Sequence, residues 1–414
     1  MQAQIGSLDV FRLPGTDSKT TQKDGDSLEP LSILVGTYGG DIVEIVTASN
    51  AKRESGSELD VNLDITKAKV EVLQQSHFGG ELWGLAVHPT DPDIYATAGD
   101  DGLLRIYSVK SNTVLCSKDL GRAARALAWH PNGNLIAVGM NEFEADKAVN
   151  QKGRGKSKKG KSGKKGGGDK KKGGGNDSSS TSKSVHLYSF EMTGRDASRQ
   201  VTLTFKSQCC KSTACIADIK FSKNTNLMAV GSHDKHIYMF DVPEDTMLVE
   251  KEKFIFNKHS SAVLHIDFSE DGAYLQSNCQ AYELLFMHTD SGKQETKATS
   301  LADLNLAPEE EAHTHWDTQT CILGWPVQGI WAPGMDGSDI NSVDRDVRGK
   351  LLASGDDFGQ VKLFNYPVVK EGSQFNAYDG HSSHVTNVRW TADNTLVSTG
   401  GNDKCVMVWE LKEN

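Results

Sequence analysis

The chain has 414 residues, of which 45 are Lys or Arg, 55 are Asp or Glu and 37% are apolar. This length is sufficient for a large buried core, and no apolar run approaches the roughly 20 residues that a membrane-spanning helix needs. The first thirty residues have neither the charged start nor the apolar stretch of a secretory signal. We therefore expect a soluble intracellular protein.

The cysteines do not have the spacing of a metal site or of a disulfide framework. Seven cysteines, an odd number, are scattered from Cys116 to Cys405 without a C-x-x-C pair. Three of them, Cys209, Cys210 and Cys215, lie beside a predicted strand and are typical of small buried apolar residues. The sequence therefore predicts no metal and no cofactor.

Short predicted strands recur along the chain at a spacing of roughly 40 residues. In three places an aspartate precedes an aromatic residue by six positions: Asp101–Tyr107, Asp234–Phe240 and Asp403–Trp409. Upstream of each pair are a strand that ends in small residues and a second strand of alternating polarity, which indicates antiparallel hairpins. Such a unit cannot bury its faces alone, so the units must pack side by side into a closed propeller.

Seven such units can be counted in the sequence. They begin near residues 5, 77, 121, 214, 259, 338 and 380. The sequence therefore predicts an all-β fold, a single seven-bladed β-propeller over residues 1–414.

The third unit is interrupted by a basic insert, residues 140–184, between the strand Leu135–Gly139 and its partner Val185–Tyr188. The insert hangs from a hairpin tip, where extra length costs little, and its high charge and glycine content predict disorder. Residues 151–175 carry a net charge of +10, which leaves −20 for the rest because the total is −10. The basic residues of this segment are Lys152, Arg154, Lys156, Lys158, Lys159, Lys161, Lys164, Lys165, Lys170, Lys171 and Lys172.

The fifth and sixth units are joined by a long connection, residues 289–337. It contains Trp316, Trp325 and Trp331, which are candidates for aromatic contacts with a partner. The alternative is that these side chains pack beneath the connection itself.

The pairs of aspartate and aromatic residue are interpreted as structural. In a blade of this type, the turn aspartate accepts a hydrogen bond from a histidine, which is linked through a hydroxyl to the aromatic ring. His381, Asp403 and Trp409 fit this pattern in the last unit. Phe240 cannot donate a hydrogen bond, so its network is expected to be incomplete, and the fifth unit has Ala281 near the position of the aspartate.

Five strings, in order along the chain, are similar to one known family. They are HFGGELWGLAVHP (77–89), WDTQTCILG (316–324), SDIN (338–341), SGDDFGQVKLF (354–364) and GHSSHVTNVRW (380–390). They resemble the second of the two tandem propellers in the echinoderm microtubule-associated protein-like (EMAP-like) family, over about Ile33 to Leu411. The resemblance implies a WD-repeat β-propeller that binds tubulin and microtubules in the cytoskeleton of the cytoplasm, spindle or cilium.

The chain departs from that family in its extent. The family's first propeller and its amino-terminal coiled-coil and basic region have no counterpart here. The sequence also ends five residues after Trp409, which leaves no outer strand for the last unit. We therefore expect either that an early segment closes this unit or that the chain is a fragment, with a companion propeller in a longer protein.

The resemblance predicts a non-enzymatic scaffold, and the basic insert has three interpretations. It is a solvated loop without a partner, an electrostatic contact with the acidic microtubule surface, or a nucleic-acid-binding segment. The third makes a nucleic-acid or ribonucleoprotein scaffold the alternative function, although no aromatic residue lies within 151–184 to stack on bases. The string 155–162 fits the phosphate-binding pattern GxxxxGKS, but neither a strand nor a helix flanks it, so it predicts no nucleotide site.

Overall fold

The protein is described from a computed structural model. The described residues are 5–12, 30–37, 42–51, 61–63, 69–74, 76–141, 183–194, 198–243, 248–249, 251–305 and 316–412. The contacts of the chain divide it into two compact units, Met1–Gly79 and Gly80–Asn414.

The first unit contains one antiparallel sheet of five strands. They are β1 (Ile5–Arg12), β2 (Pro30–Thr37), β3 (Ile42–Ala51), β4 (Val61–Leu63) and β5 (Lys69–Gln74). Strand β3 pairs with β2 over residues 42–48 and with β5 over residues 42–46, so β2 and β5 lie on its opposite edges, and it pairs with β4 over residues 49–51. The sheet is therefore branched, unlike the linear sheets of the second unit.

The second unit contains six antiparallel sheets, which we call blades 1 to 6, and blade 1 corresponds to the second predicted unit. Each blade is a meander in which consecutive strands pair.
Blades 1 to 3 consist of β6 (Leu82–Val87), β7 (Ile94–Gly99), β8 (Leu103–Ser108) and β9 (Thr113–Asp119); β10 (Ala124–Trp129), β11 (Leu135–Met140), β12 (Lys183–Thr193) and β13 (Gln200–Ser212); and β14 (Ile216–Phe221), β15 (Leu227–Ser232), β16 (Ile237–Asp241) and β17 (Glu252–Phe256).
Blades 4 to 6 consist of β18 (Val263–Phe268), β19 (Tyr274–Cys279) and β20 (Leu284–His288); β21 (Ile340–Arg345), β22 (Leu351–Asp356), β23 (Gln360–Asn365) and β24 (Phe375–Asp379); and β25 (Val385–Trp390), β26 (Leu396–Gly400) and β27 (Val406–Trp409).

Two backbone features repeat in all six blades. The first is a β-bulge near the start of the first strand, between Leu82/Gly84, Ala124/Ala126, Ile216/Asp218, Val263/His265, Ile340/Ser342 and Val385/Asn387. The second is a hydrogen bond from an N–H at the end of the second strand to a carbonyl just before the first strand. Its donor and acceptor pairs are Asp100–Glu81, Asn141–Ala123, His233–Cys215, Gln280–Ala262, Asp357–Asp339 and Gly401–His384. Bulges of this kind are fixed features that set the twist of a strand pair.

The second unit closes into a ring between its last and first blades. Strands β25 and β26 contact β6, and the hydroxyl of Thr386 donates a hydrogen bond of 2.7 Å to the carbonyl of Leu82. The propeller therefore has six blades, and the predicted count of seven is wrong. The amino-terminal strands form their own branched sheet instead. The first hairpin of that sheet carries the same bulge, between Ile5 and Ser7, so its sequence pattern imitates a blade.

The connection between blades 4 and 5 makes hydrogen bonds to the first strand of each of these blades. Its described helices are α1 (Ala298–Asn305) and a 3-10 helix (Trp325–Ile330). Between them, Thr320 and Cys321 donate backbone hydrogen bonds to the buried carboxylate of Asp267 on β18. Arg345 of β21 donates a hydrogen bond of 2.8 Å to the carbonyl of Trp316.

No helix within the described ranges is long and apolar enough to cross a membrane.

The apolar core of the second unit lies in the seams between neighbouring blades. One cluster joins blades 1 and 2, and further clusters join blades 2 and 3, 3 and 4, 5 and 6, and 6 and 1. A sixth cluster packs the 3-10 helix onto blade 5. Each fully buried large apolar side chain in these seams contributes about 1.5–3 kcal/mol to folding. The seams therefore hold the ring together.

Candidate interaction surface

The basic insert is attached at the tip of the hairpin formed by β11 and β12 in blade 2. Met140 pairs with Ser184 across the last rung of this hairpin. The side-chain oxygen of Asn141 accepts a hydrogen bond of 3.0 Å from the backbone N–H of Ile216 in blade 3. All eleven basic residues predicted to contact a partner lie outside the described residues. The structure thus gives the attachment point of the insert.

The hairpin tip that carries the insert lies on the same face of the ring as the corresponding turns of the other blades. The repeated backbone hydrogen bond places each of these tips beside the start of its own first strand. The first strands of successive blades contact one another along the ring, except where the connection lies between blades 4 and 5. We call this side the tip face. Its other turns are residues 100–102, 233–236, 280–283, 357–359 and 401–405.

A cluster of five polar and aromatic side chains lies on the tip face where blades 6, 1 and 2 meet. We call Glu81, Trp83, Asp100, Arg125 and His384 the seam cluster. The indole N–H of Trp83 donates to Glu81 at 2.7 Å, and the guanidinium of Arg125 lies 5.4 Å from the centre of the Trp83 ring. Arg125 also forms a two-pronged ion pair with Asp100, and the rings of Trp83 and His384 are 5.8 Å apart.

The seam cluster is ordered but remains accessible. The side chains of Glu81, Arg125 and His384 are 28%, 23% and 20% exposed, respectively. Burial opposes the charge of Arg125, but the hydrogen bond and ion pair with Asp100 outweigh it and raise the arginine pKa. A partly exposed tryptophan held beside a fixed guanidinium is typical of residues that dominate binding energy at protein interfaces. The cluster can therefore offer a partner an aromatic face, an arginine edge and a carboxylate.

Blade 6 has the complete network that the sequence predicts for its last unit. The ring of His381 lies 3.1 Å from the carboxylate of Asp403 and 2.8 Å from the hydroxyl of Ser398. The indole N–H of Trp409 donates to the same hydroxyl at 2.9 Å, and the backbone N–H of Ser382 donates to Asp403. Burial raises the pKa of Asp403, but these hydrogen bonds lower it below its ordinary value.

Blade 3 builds a similar network from other side chains. The carboxylate of Asp234 accepts hydrogen bonds from Ser212 at 2.8 Å and from the hydroxyl of Tyr238 at 2.7 Å. Ser212 is also 2.6 Å from the hydroxyl of Ser232. Phe240 is fully buried in the seam between blades 2 and 3. Tyr238, two residues before Phe240, thus supplies the donor that the phenylalanine lacks.

In blade 1, the predicted pair separates into two local roles. Asp101 accepts a hydrogen bond of 3.1 Å from the backbone N–H of Leu103 and so caps the turn. Tyr107 is buried, stacks on Tyr95 with ring centres 4.9 Å apart, and packs with Val397 in the seam between blades 6 and 1. Burial raises the pKa of Tyr107.

The three tryptophans of the long connection have different surroundings. Trp316 is only 6% exposed, and its indole N–H donates to the carbonyl of Leu304 at 3.3 Å. Trp331 donates to the carbonyl of Ile322 and packs against the apolar cluster of blade 5. Trp325 is half-buried at the start of the 3-10 helix. These positions favour packing for Trp316, whereas partner contact by Trp325 and Trp331 stays a prediction.

Ionisable side chains lie at internal positions of the first strands of blades 3 to 6. Burial raises the pKa of Asp344 to about 6, against the opposing effects of Arg389 and of a hydrogen bond from the backbone of Trp390. Burial likewise lowers the pKa of His265 to about 4. Lys220 pairs with Asp218 at 3.0 Å. The shifted pKa values of Asp344 and His265 make the free energy of unfolding depend on pH.

Sequence reasoning missed the seam cluster and the anchor of blade 4. The seam cluster is assembled from blades 1, 2 and 6, so its members are up to about 300 positions apart and share no local motif. In blade 4, where the turn aspartate is missing, Glu283 takes over its partners. It accepts a hydrogen bond of 2.9 Å from the backbone of Ser260 and lies 3.4 Å from His259. In the sequence, His259 at the start of that unit was the feature that could have indicated this anchor.

Comparison with known proteins agrees with this architecture. Residues 82–411 match the family model described as the echinoderm microtubule-associated protein second beta-propeller. The match begins at the first residue of β6 and therefore covers the six blades of the second unit.

The chain is also similar to individual proteins that carry the name echinoderm microtubule-associated protein. It is 33% identical over 340 residues to the 77 kDa echinoderm microtubule-associated protein of Lytechinus variegatus, covering 82% of this chain and 42% of that protein. It is 32% identical over 348 residues to the human echinoderm microtubule-associated protein-like 2, with coverages of 82% and 43%. The chain thus spans less than half the length of these relatives. It belongs to the EMAP-like family and contains that family's second β-propeller.

Proposed function

We propose that this chain is a non-enzymatic scaffold that binds tubulin and microtubules through the tip face of its propeller and the basic insert attached there. The observation that carries the proposal is the match of all six blades to the second propeller of proteins named for microtubule association. The proposed setting is the cytoplasmic cytoskeleton, with spindle and cilium as specific locations.

The charge distribution supports an electrostatic role for the insert. Residues 151–175 carry +10, whereas the rest of the chain carries −20 because the total is −10. An acidic body is repelled by an acidic polymer, and a basic segment on its tip face offsets that repulsion locally. Charges exposed to solvent are screened over about 8 Å at physiological ionic strength. Binding through the insert should therefore weaken strongly as salt is added.

The seam cluster supports a second, short-range contact. Trp83 and Arg125 are fixed by hydrogen bonds and an ion pair, so little side-chain entropy remains to be lost when they meet a partner. The insert begins in the same blade as Arg125. We therefore place the insert and the seam cluster in one binding surface, in which the insert attracts the polymer and the cluster contacts it.

A companion propeller is part of the proposal. The chain covers 42% of the sea urchin relative and 43% of the human one, so each relative has room for a second domain of similar size. Two linked modules raise the effective concentration of the second binding event after the first. Binding by this chain alone is then expected to be weaker than binding by a protein with both modules.

Microtubule co-sedimentation at two salt concentrations tests the proposal. The full chain is compared with a variant lacking Lys152–Lys172 and with one in which the eleven basic residues of 151–175 are replaced by glutamine, which keeps the length. We expect the full chain to pellet at low salt and to be released at high salt, and both variants to bind at least about tenfold more weakly.

The outcomes separate the roles of the two regions. If both variants pellet like the full chain, the propeller surface binds and the insert is not an attachment. If the full chain neither pellets nor binds soluble tubulin, the proposal fails. RNA binding that is lost with the same substitutions, in the absence of microtubule binding, would instead support a nucleic-acid scaffold.

A further inference from the structure

Three potential metal-binding side chains converge in blade 4. The ligand atoms of His259, Cys279 and Glu283 all lie within 4.8 Å of one another, and no second such group occurs in the part of the chain that the structure describes. The carboxylate of Glu283 is 3.4 Å from Nδ1 of His259 and accepts a hydrogen bond of 3.1 Å from Sγ of Cys279. The histidine and cysteine are buried, whereas the Glu283 side chain is 32% exposed.

The same position in blade 6 has no room for a thiol. Cys279 faces Val263 across the first hairpin of blade 4, as Gly400 faces Val385 in blade 6. A Cβ atom added to Gly400 would lie 2.0 Å from the carboxylate of Asp403 and only 2.5 Å from the ring of the blade 6 histidine. In blade 6, the glycine is therefore required for direct contact between the carboxylate and the imidazole.

In blade 4, the carboxylate comes from a different position in the chain, which leaves space for the thiol. Glu283 lies immediately before the third strand, where blade 6 has Cys405, and its backbone carbonyl accepts the same hydrogen bond that the carbonyl of Cys405 accepts. The glutamate side chain is one methylene longer than the aspartate of blade 6. The thiol of Cys279 is thus placed beside both the imidazole and the carboxylate.

The histidines of blades 4 and 6 differ in the contacts of their two ring nitrogens. In blade 6, Nδ1 of His381 donates to the carboxylate of Asp403 at 3.1 Å, and Nε2 lies 2.8 Å from the hydroxyl of Ser398. The same hydroxyl accepts a hydrogen bond from the indole of Trp409. This arrangement satisfies every member of the network without a further ion.

In blade 4, the indole is missing and the contacts of the histidine differ. Nε2 of His259 lies 2.7 Å from the hydroxyl of Ser277, which is also 3.4 Å from the carbonyl of Leu285. Nδ1 of His259 is buried and lies 3.4 Å from the carboxylate of Glu283, without the geometry of an ordinary hydrogen bond. When Nε2 donates the ring proton to Ser277, the lone pair of Nδ1 is available to a cation beside this carboxylate.

We propose that His259 Nδ1, Cys279 Sγ and Glu283 Oε2 bind a divalent transition-metal ion, and that Zn²⁺ is the ion they fit best. Nitrogen, sulfur and oxygen ligands around tetrahedral zinc are about 3.3–3.6 Å apart. The distances from Oε2 of Glu283 to Nδ1 of His259 and to Sγ of Cys279, 3.4 and 3.1 Å, are close to these values, and Nδ1 and Sγ lie within 4.8 Å of each other. Water completes the fourth position on the exposed side of Glu283. Binding displaces the thiol proton, which is released to solvent.

The surroundings support ligation by His259. Histidines that bind metals almost always donate their other ring N–H to an oxygen, which fixes the ring and its protonation state. Ser277 is that oxygen here. The site also encloses the turn that carries Tyr282, which is 60% exposed on the tip face with φ of 62°. A metal ion would stabilise this turn, because both of its ends supply a ligand.

The test is metal binding by the full chain prepared without a polyhistidine tag. After chelation and removal of the chelator, the chain is titrated with Zn²⁺ and, separately, with Co²⁺. Metal content is measured by mass spectrometry, and cobalt coordination by absorption. We expect one ion per chain, a thiolate-to-cobalt charge-transfer band and the visible bands of tetrahedral cobalt.

Matched variants locate the site. Cys279→Ser and Glu283→Gln should each weaken binding by more than about tenfold, and Ser277→Ala should weaken it by about tenfold or more without removing a ligand. Cys405→Ser is the control, because this thiol lies beside the carboxylate network of blade 6 and should leave affinity unchanged. Circular dichroism checks that each variant is folded. If Cys279→Ser does not fold, Glu283→Gln still tests the site, because its side chain is partly exposed.

Two results would overturn the proposal. One is a folded wild-type chain that takes up neither Zn²⁺ nor Co²⁺ at micromolar concentration. The other is uptake with a charge-transfer band that Cys279→Ser and Glu283→Gln leave unchanged.

Discussion

Blades 4 and 6 have the same backbone and differ in how their tips are anchored. Both have the bulge in the first strand and the hydrogen bond that ties the tip to the start of that strand. Blade 6 completes its anchor with Asp403, His381, Ser398 and Trp409, whereas blade 4 has Glu283 and an inserted thiol. Backbone pairing and seam packing therefore define a blade, whereas the side chains of the tip network differ from blade to blade.

The largest expected effect in this comparison is the loss of the blade 6 carboxylate. Asp403→Ala leaves the fully buried ring of His381 and the N–H of Ser382 without their acceptor. We expect a loss of about 3–4 kcal/mol in the free energy of unfolding, measured by urea titration of the full chain. Asp403→Asn, which keeps one acceptor oxygen, should lose less. A loss below about 1 kcal/mol for the alanine variant would show that the network does not stabilise the blade.

The next largest effect on stability is expected from two ionisable groups of the ring interior. His265 lies in the first strand of blade 4, and the carboxylate of Asp344 accepts a hydrogen bond from the backbone of Trp390 in blade 6. Asp344 has a folded pKa of about 6, above its unfolded value, so the folded state binds more protons and stability falls as pH rises from about 4 to 6. His265 has a folded pKa of about 4, below its unfolded value, so the folded state binds fewer protons. Its contribution to the free energy of unfolding therefore increases as pH rises from about 4 to 6.5.

Separate substitutions should reveal these opposing slopes. In Asp344→Asn, we expect unfolding free energy to increase by about 3 kcal/mol between pH 4 and 6.5, and in His265→Gln we expect a decrease of similar size. In the wild type, the two contributions nearly cancel. Urea titrations at four pH values measure this, and parallel pH profiles for the two variants would contradict the assignment.

Blade 3 sharpens the comparison with an intermediate effect. Tyr238→Phe removes one hydroxyl donor to Asp234 but leaves the hydrogen bond from Ser212 in place. We expect a loss of about 1 kcal/mol in the free energy of unfolding. Phe240→Tyr is the informative partner variant, because it puts a hydroxyl into a fully buried apolar seam and should destabilise the chain rather than restore a network.

The smallest effect is expected in blade 4 when no metal is present. Glu283→Gln should cost less than about 1 kcal/mol in chelator-treated protein, because this side chain is partly exposed and water can replace some of its contacts. Equal losses for Asp403→Ala and Glu283→Gln would show that the anchors of blades 4 and 6 are energetically equivalent and would contradict this expectation.

Most of the propeller could be predicted from the sequence because its strands alternate in polarity and end in turn residues at a regular spacing. The count of seven failed because the hairpin of β1 and β2 has the same strand pattern and the same bulge as a blade. Only pairing over longer distances, in which β3 pairs with three strands, distinguishes that sheet. Local periodicity contains no such information.

The candidate surface was less predictable for a different physical reason. Trp83 and Arg125 come from separate blades, and His384 is brought beside them by ring closure, so no spacing in the sequence connects them. The role of Glu283 was not predicted because the carboxylate that accepts the hydrogen bond at this tip comes from a glutamate before the third strand. The pattern in the sequence places an aspartate in the preceding turn. The basic insert, in contrast, was evident from composition, because charge and glycine content are local properties.

The most direct test of the central claim is a polymer titration with the full chain at low ionic strength, in which the bound fraction is measured by co-sedimentation. The proposal predicts saturable binding that weakens when Trp83→Ala is introduced, while Trp316→Phe, at a buried position of the connection, serves as the control. A chain that stays in the supernatant at every polymer concentration, and that also fails to comigrate with soluble tubulin in gel filtration, would contradict it.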